Sequence, residues 1–418
     1  MLFSKKNIFS FFITIFFSYL IYLLISKQII YLAIPAMVKN GASHIFGDWS
    51  VILSANLCKS KFDVFLSNPC DVFNRTHVYG EILLYFPLIK KFSNFYIFAL
   101  PIILNFIFIY VVVNFFNFKN YTEFLTIIPF IFSTPVLLVI ERANIDIIIF
   151  LFITIIALNK NLIFNYIFIL LTTLSKFYPA CLAIIFLFEK NYKKFILNFI
   201  IYSLIIVFFL YFQFDEIKKI FTLGSDASAS RYLSFSLIGF INHYNDLNII
   251  YNNKNYNWIK HLYLFIVLIF PTIITLIYSR NFIFKSDQIK SLFLNNNYEN
   301  RLYILSSTII IVCYLSFDSF LYREIFLLGL IPWILKKKEE KDSSIFLNFY
   351  FYALCLKFFV TTILIILYRN HLELYKPLAI ITKQCFDFYL ILILSLIFLS
   401  AFSSLIKMLN KEGKNLHI

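Results

Sequence analysis

Residues 124–158 read FLTIIPFIFSTPVLLVIERANIDIIIFLFITIIAL. Two apolar runs flank one polar hexapeptide, Glu141-Arg142-Ala143-Asn144-Ile145-Asp146, and the stretch holds no other ionisable residue. A membrane helix needs about 20 predominantly apolar residues. The stretch therefore reads as two membrane-embedded helices joined through a short polar motif.

The same pattern extends in both directions. Apolar runs fall at 8–34, 95–116, 124–140, 145–158, 162–174, 177–188, 195–212, 261–278, 302–316, 325–335, 345–367 and 385–406. They predict an all-α, polytopic transmembrane helical bundle of 10–13 spans, with 1–418 as a single integral membrane domain. Composition agrees: of 418 residues 61% are hydrophobic and 14% charged, against roughly 45–50% and 25% in soluble domains. The run at 8–34 follows Lys5 and Lys6. It is too long for the core of a cleaved signal peptide, about 7–15 residues, and reads as an uncleaved first membrane helix.

The net charge of +15 does not indicate nucleic acid. The basic residues form short clusters between apolar runs and no stripe along one face. Density of Lys in short loops sets membrane orientation. The Lys-rich short segments are predicted to face the cytoplasm, and two long loops, 35–94 and 213–260, to face outward. The expected location is a bacterial inner (plasma) membrane, multi-pass, with the polar face outside. Runs of Asn, such as Asn295 to Asn297, reflect biased composition.

Six cysteines show no C-x-x-C spacing and six histidines no metal-ligand spacing, so no metal site is expected. Cys58 and Cys70 share one polar loop; a disulfide between them depends on that loop facing an oxidising space. Phosphate-binding glycine loops, zinc-protease motifs, nucleophile elbows and D-x-D pairs are missing from the sequence. No cofactor is expected.

Alternating spans put four polar clusters on the outer face. They are Gly47-Asp48-Trp49, the 141–146 hexapeptide, Ser175-Lys176-Phe177-Tyr178-Pro179, and Ser316-Phe317-Asp318 with Tyr322-Arg323-Glu324. Ionisable groups at membrane depth are costly and mark cavities or functional paths. The alternative for each is a helix end whose charge snorkels to the headgroups, or a local Glu141–Arg142 pair.

The hexapeptide, followed about thirty residues later by Lys176-Phe177-Tyr178-Pro179, resembles the paired motifs of glycosyltransferase family 87. Gly47-Asp48-Trp49, Ser67-Asn68-Pro69-Cys70-Asp71 and Tyr85-Phe86-Pro87 are similar to that family's first outer loop, and Tyr322-Arg323 to its late helix. Ala143 stands where the family often has Gly, Cys70 where it often has Tyr, and Phe86 where it often has Pro. The resemblance spans roughly 40–335 and implies a GT-C architecture. It implies an inverting hexosyltransferase that takes a mannose-like hexose from a polyprenyl-phosphate donor to a glycan or glycolipid acceptor. Membrane lipids are the other partners. Such a transfer needs a base for the acceptor hydroxyl and cations for the departing phosphate. Asp48 is the candidate base, with Asp63 and Asp71 as rivals. Arg142, Lys176 and Arg323 are candidate phosphate partners, expected to converge. Asn144, Asp146, Tyr178, Asp318 and Tyr322 complete the substrate-binding set. Two other readings fit the same apolar spans and polar cavity: a transporter or flippase for lipid-linked sugars, and a polysaccharide polymerase or ligase.

Overall fold

A computed structural model describes residues 5–34, 38–39, 42–43, 45–85, 94–116, 121–189, 191–224, 234–250, 257–316, 321–340, 345–369 and 376–415. All twelve apolar runs are largely helical. The strands among the described residues are a two-residue ladder, Val38–Lys39 against Ala42–Ser43. The described residues fall into two compact units, 1–180 with 205–228, and 181–204 with 229–418.

The first unit opens with α1 (Lys5–Ser26), then α2 (Gly47–Cys58), and α3 (Leu100–Asn114) entered through a π-helical turn, Phe95–Ala99. Next come α4 (Tyr121–Ile131), α5 (Thr134–Arg142), α6 (Asp146–Leu158) and α7 (Leu162–Ser175). A long 3₁₀ helix, Tyr178–Phe188, starts in this unit and passes into the second at residue 181, and α8 (Tyr192–Phe212) begins in the second unit and returns to the first at residue 205, ahead of α9 (Phe214–Gly224). α1 packs on α3, α3 on α6, and α6 on α7, while α2 lies against α5.

The run expected as one span at 124–140 is broken. α4 and α5 meet at 52°. Pro135 opens α5, and a proline there has no N–H to donate and would press on the carbonyl four residues back. The stretch 35–94, expected as a loop, contains the buried helix α2. The stretch 213–260, also expected as a loop, is helical at 214–224 and 237–250.

The second unit contains α10 (Leu237–Ile250), α11 (Asn257–Leu264), α12 (Phe270–Lys285) and the short α13 (Asp287–Lys290). α14 (Tyr298–Ser316) precedes a second long 3₁₀ helix, Leu321–Leu330, which runs into α15 (Ile331–Glu339). α16 (Ile345–Arg369) and α17 (Lys376–Asn415) close the chain. α17 packs on α12, α14 and α16, and the 3₁₀ helix packs on α14.

Among the described residues five helices are long and apolar enough to cross a membrane: 7–26, 95–114, 192–212, 345–367 and 380–410. The bent α4–α5 pair makes a sixth if it is one span. Four further apolar helices, among them α6 and α7, are shorter than a full α-helical crossing. Length and composition thus support a multi-pass membrane protein, with five or six of the described helices long enough for a full crossing where the apolar runs predict 10–13 spans. The difference lies in runs such as 145–158 and 162–174, which the break at 159–161 keeps short.

Candidate functional site

The site forms where α5 ends and α6 begins. At the end of α5 the backbone turns left-handed at Ala143, φ 45°. The Ala143 N–H donates to the Ile140 carbonyl at 3.1 Å, and the Asn144 N–H to the Val139 carbonyl at 3.1 Å. That pair of bonds is a Schellman cap, whose left-handed residue is usually glycine. Here an alanine takes it. The cap projects Arg142 from the last turn of α5 and turns Asn144 toward the start of α6. The Asn144 Oδ1 then accepts the Asp146 N–H at 3.0 Å, closing the first turn of α6.

α2 is docked onto this junction. The Phe46 N–H, ahead of α2, donates to the Glu141 carbonyl at 2.7 Å. The Trp49 indole donates to the Tyr96 carbonyl at 2.8 Å. Asp48 therefore sits in the first turn of α2, where the helix dipole favours a carboxylate. Asn144 Nδ2 donates to Asp48 Oδ2 at 2.7 Å, and the Arg142 guanidinium lies 3.4 Å from Oδ1.

α7 brings the third motif. Its C-terminus is seated against the segment around Gly80, whose N–H donates to the Ser175 carbonyl at 2.9 Å. Lys176 turns back into the protein. Its ammonium donates to Asn144 Oδ1 at 3.2 Å and pairs with the Asp146 carboxylate. The Tyr178 hydroxyl donates to Asp146 Oδ1 at 2.7 Å. The rings of Tyr79 and Tyr178 lie 5.3 and 5.8 Å from the ammonium.

Asn144 thus joins two halves. Asp48 and Arg142 retain 13% and 16% exposure, whereas Lys176 and Asp146 retain 8% and 0%. The outer half keeps some accessible surface, and the inner half is enclosed. Glu141 is buried beneath, accepting from the Tyr31 hydroxyl at 3.2 Å and pairing with Arg142 at 3.5 Å. A small recess of about 10 Å³, lined by Trp49, Asn105, Asn144 and apolar side chains of α3 and α6, touches the network through Asn144.

The structure brings Asp48, Arg142, Asn144, Asp146, Lys176 and Tyr178 together. The rivals for the base are occupied differently. Asp63 forms a half-exposed pair with Lys219 at 2.6 Å. Asp71 is clamped by Arg75. Burial would raise its pKa, but hydrogen bonds and charge from Arg75, with the backbone N–H groups of Arg75 and Phe73, outweigh it and hold the carboxyl below the usual range. Tyr322 and Arg323 lie half-buried on the 3₁₀ helix Leu321–Leu330 of the second unit. Asp318 lies outside the described residues.

A bare cluster of cations awaiting a phosphate is not what the first unit contains. Arg142 faces Asp48 and Glu141, and Lys176 faces Asp146. Among the described residues no group of His, Cys, Asp or Glu could hold a metal ion.

Two features went unread in the sequence. Arg75, also close to Asp48 at 3.7 Å, comes from a segment that looks like ordinary polar loop. In the second unit Lys357 bridges Glu324 at 3.0 Å and Asp387, and Lys383 lies 2.7 Å from Asp387. All four are buried. Lys357 and Asp387 each interrupt an apolar run, and a lone charge at membrane depth calls for an opposite one; that signal was present. Cys58 and Cys70 are joined as a disulfide. Comparison of the chain with protein-family models, with curated proteins and with solved structures finds no match.

Proposed function

We propose that the protein is a membrane glycosyltransferase of GT-C type, moving a mannose-like hexose from a polyprenyl-phosphate donor to a glycan or glycolipid acceptor on the outer face. One observation carries the reading. A carboxylate from the start of α2, Asp48, meets an arginine and an asparagine some 95 residues away, and remains partly accessible. A disulfide in the same segment is at home on the oxidising, outer side.

In this reading Asp48 accepts the proton of the acceptor hydroxyl as its oxygen attacks the anomeric carbon. The carbon–oxygen bond to phosphate breaks on the opposite face, and the polyprenyl phosphate departs with the electron pair. Inversion at that carbon follows from the single displacement. Asn144 holds the Asp48 carboxylate in place, and Arg142 is the cation positioned to meet the phosphate. Lys176, enclosed with Asp146 and Tyr178, acts as the support that orients Asn144.

The test is transfer by the purified protein from a polyprenyl-phosphate hexose to a lipid-linked acceptor. Asp48→Asn should lower turnover by about 10²–10⁴-fold, the usual contribution of a general base, with the protein still inserted and able to bind donor. A loss below tenfold removes Asp48 from the role. The buried Glu324–Lys357–Asp387–Lys383 set favours a second reading, a transporter of lipid-linked sugars, because charges inside membrane helices often serve ion-coupled movement. Donor translocation across vesicles without transfer would select it.

A further inference from the structure

Residues 68–75 run along α2 and touch it at three levels. At the far end Cys70 is bonded to Cys58, the last residue of α2. In the middle the Asn68 amide donates to the Ser54 hydroxyl at 3.1 Å. At the near end Arg75 reaches the first turn of α2. Its guanidinium donates to the Gly47 carbonyl at 2.8 Å and lies 3.4 Å from the Ser50 hydroxyl and 3.7 Å from the Asp48 carboxylate.

Arg75 is itself fixed. Nε and an Nη of its guanidinium grip both oxygens of Asp71 at 3.0 and 2.8 Å, the two-pronged contact that a lysine cannot reproduce. The Asp71 carboxylate also accepts the backbone N–H groups of Phe73 and Arg75, each at 3.0 Å. Asp71 directly follows Cys70, so the disulfide, the carboxylate and the guanidinium form one rigid sequence of contacts. Arg75 retains 23% side-chain exposure and Asp71 1%. The clamp is therefore built on the inside and applied at the accessible edge of the site.

We infer that Arg75 is a positioning residue for Asp48, held by Asp71, and that the Cys58–Cys70 disulfide sets where Arg75 stands. The inference rests on the reading of Asp48 as the base. Asn144 holds Oδ2 of Asp48 at 2.7 Å, while Arg142 and Arg75 both stand at Oδ1, 3.4 and 3.7 Å away. Loss of Arg75 would leave Arg142 as the one cation of this pair at Oδ1 and let the existing 3.4 Å contact tighten, drawing the carboxylate away from the acceptor. A misplacement of about 1 Å at a reacting group costs up to about a hundredfold in rate.

Two measurements on the full-length protein in detergent test it. The first is turnover. Arg75→Gln should lower kcat about 10–100-fold with little change in donor KM, and free methylguanidine should restore part of the loss. Arg75→Lys should stay slow, since charge alone does not restore the fork. The second is hydrogen exchange over residues 47–54, which needs no substrate. Exchange there should quicken in Arg75→Gln, in Asp71→Asn and in the wild-type protein after reduction of the disulfide, with the other helices of the unit unchanged. If the wild-type protein transfers no sugar yet exchange responds in this way, the glycosyl-transfer reading fails and the clamp stands. If the protein transfers sugar and Arg75→Gln matches the wild type in kcat, the inference is overturned. Unchanged exchange over 47–54 in all three samples overturns it as well. A variant that unfolds would quicken exchange everywhere, and Asp71→Asn, which leaves Arg75 in the chain, then serves as the second probe.

Discussion

Gly80→Ala separates space from conformation. Gly80 has φ −64° and ψ 150°, a backbone that alanine adopts freely. By conformational entropy alone the substitution would stabilise, by about 0.4–1 kcal/mol. Space decides the other way. A Cβ at this position would lie 1.6 Å from the Leu174 carbonyl oxygen and 2.7 Å from its carbon. Both are backbone atoms at the end of α7, so no side chain can rotate aside. The segment would have to retreat by roughly 2 Å to reach ordinary contact, a distance that parts the 2.9 Å bond from the Gly80 N–H to Ser175. An unsatisfied buried backbone group costs about 1–3 kcal/mol and overpacking a further 1–3 kcal/mol. The net expectation is a loss of about 1–5 kcal/mol. Reversible unfolding in mixed detergent micelles, followed by circular dichroism, measures it. Since Lys176 follows Ser175 directly, the same variant should lose turnover. A Gly80→Ala protein within about 0.5 kcal/mol of the wild type, the size of an ordinary surface substitution, would refute the close seating of this segment on α7.

Three further outcomes are expected. His77 is fully buried between the rings of Phe65 and Tyr79, and burial pushes its pKa down from 6.5 to about 4. Its unfolded form binds the extra proton first, so stability should be intact above pH 6.5 and fall as pH drops toward 4. The loss is about 3 kcal/mol; unfolding curves across that range should flatten in His77→Asn. Serine at Cys58 and Cys70 should cost about 3 kcal/mol, as expected for a closed loop of this length, and reduction of the wild-type protein should give the same shift in unfolding midpoint. Lys357→Met strands Glu324 and Asp387 with only Lys383 between them and should cost about 3–5 kcal/mol. The triple change Lys357→Met, Glu324→Gln, Asp387→Asn should recover part of that in the same unfolding assay.

The membrane class was legible because apolar runs with polar punctuation have few other physical solutions. The outer half of the site was legible for a related reason. Glu141-Arg142-Ala143-Asn144-Ile145-Asp146 is a polar island in apolar surroundings, and Lys176 lies inside a motif instead of flanking a run. What the residues could not show was how their charges would be satisfied. Lys176 read as a free cation is enclosed with Asp146. Arg75 has one local partner, Asp71 four residues back, but Gly47 and Asp48 become its neighbours only once α2 folds against this segment. Ala143 shows the reverse case. It stands where a left-handed cap usually has glycine, yet the backbone there is left-handed all the same.

The two 3₁₀ helices change how membrane thickness is counted. A 3₁₀ helix rises about 2.0 Å per residue where an α-helix rises 1.5 Å. Tyr178–Phe188, 11 residues long, therefore reaches about 22 Å where the same residues as α-helix would reach about 17 Å. Leu321–Leu330 and α15, with 10 and 9 residues, have a summed axial rise of about 33 Å, more than the roughly 30 Å hydrocarbon core of a bilayer. A yardstick of twenty α-helical residues passes over such segments. Overwinding lets a short stretch of chain cover more depth than the same residues would as α-helix, so a length criterion set for α-helices understates the reach of these two segments.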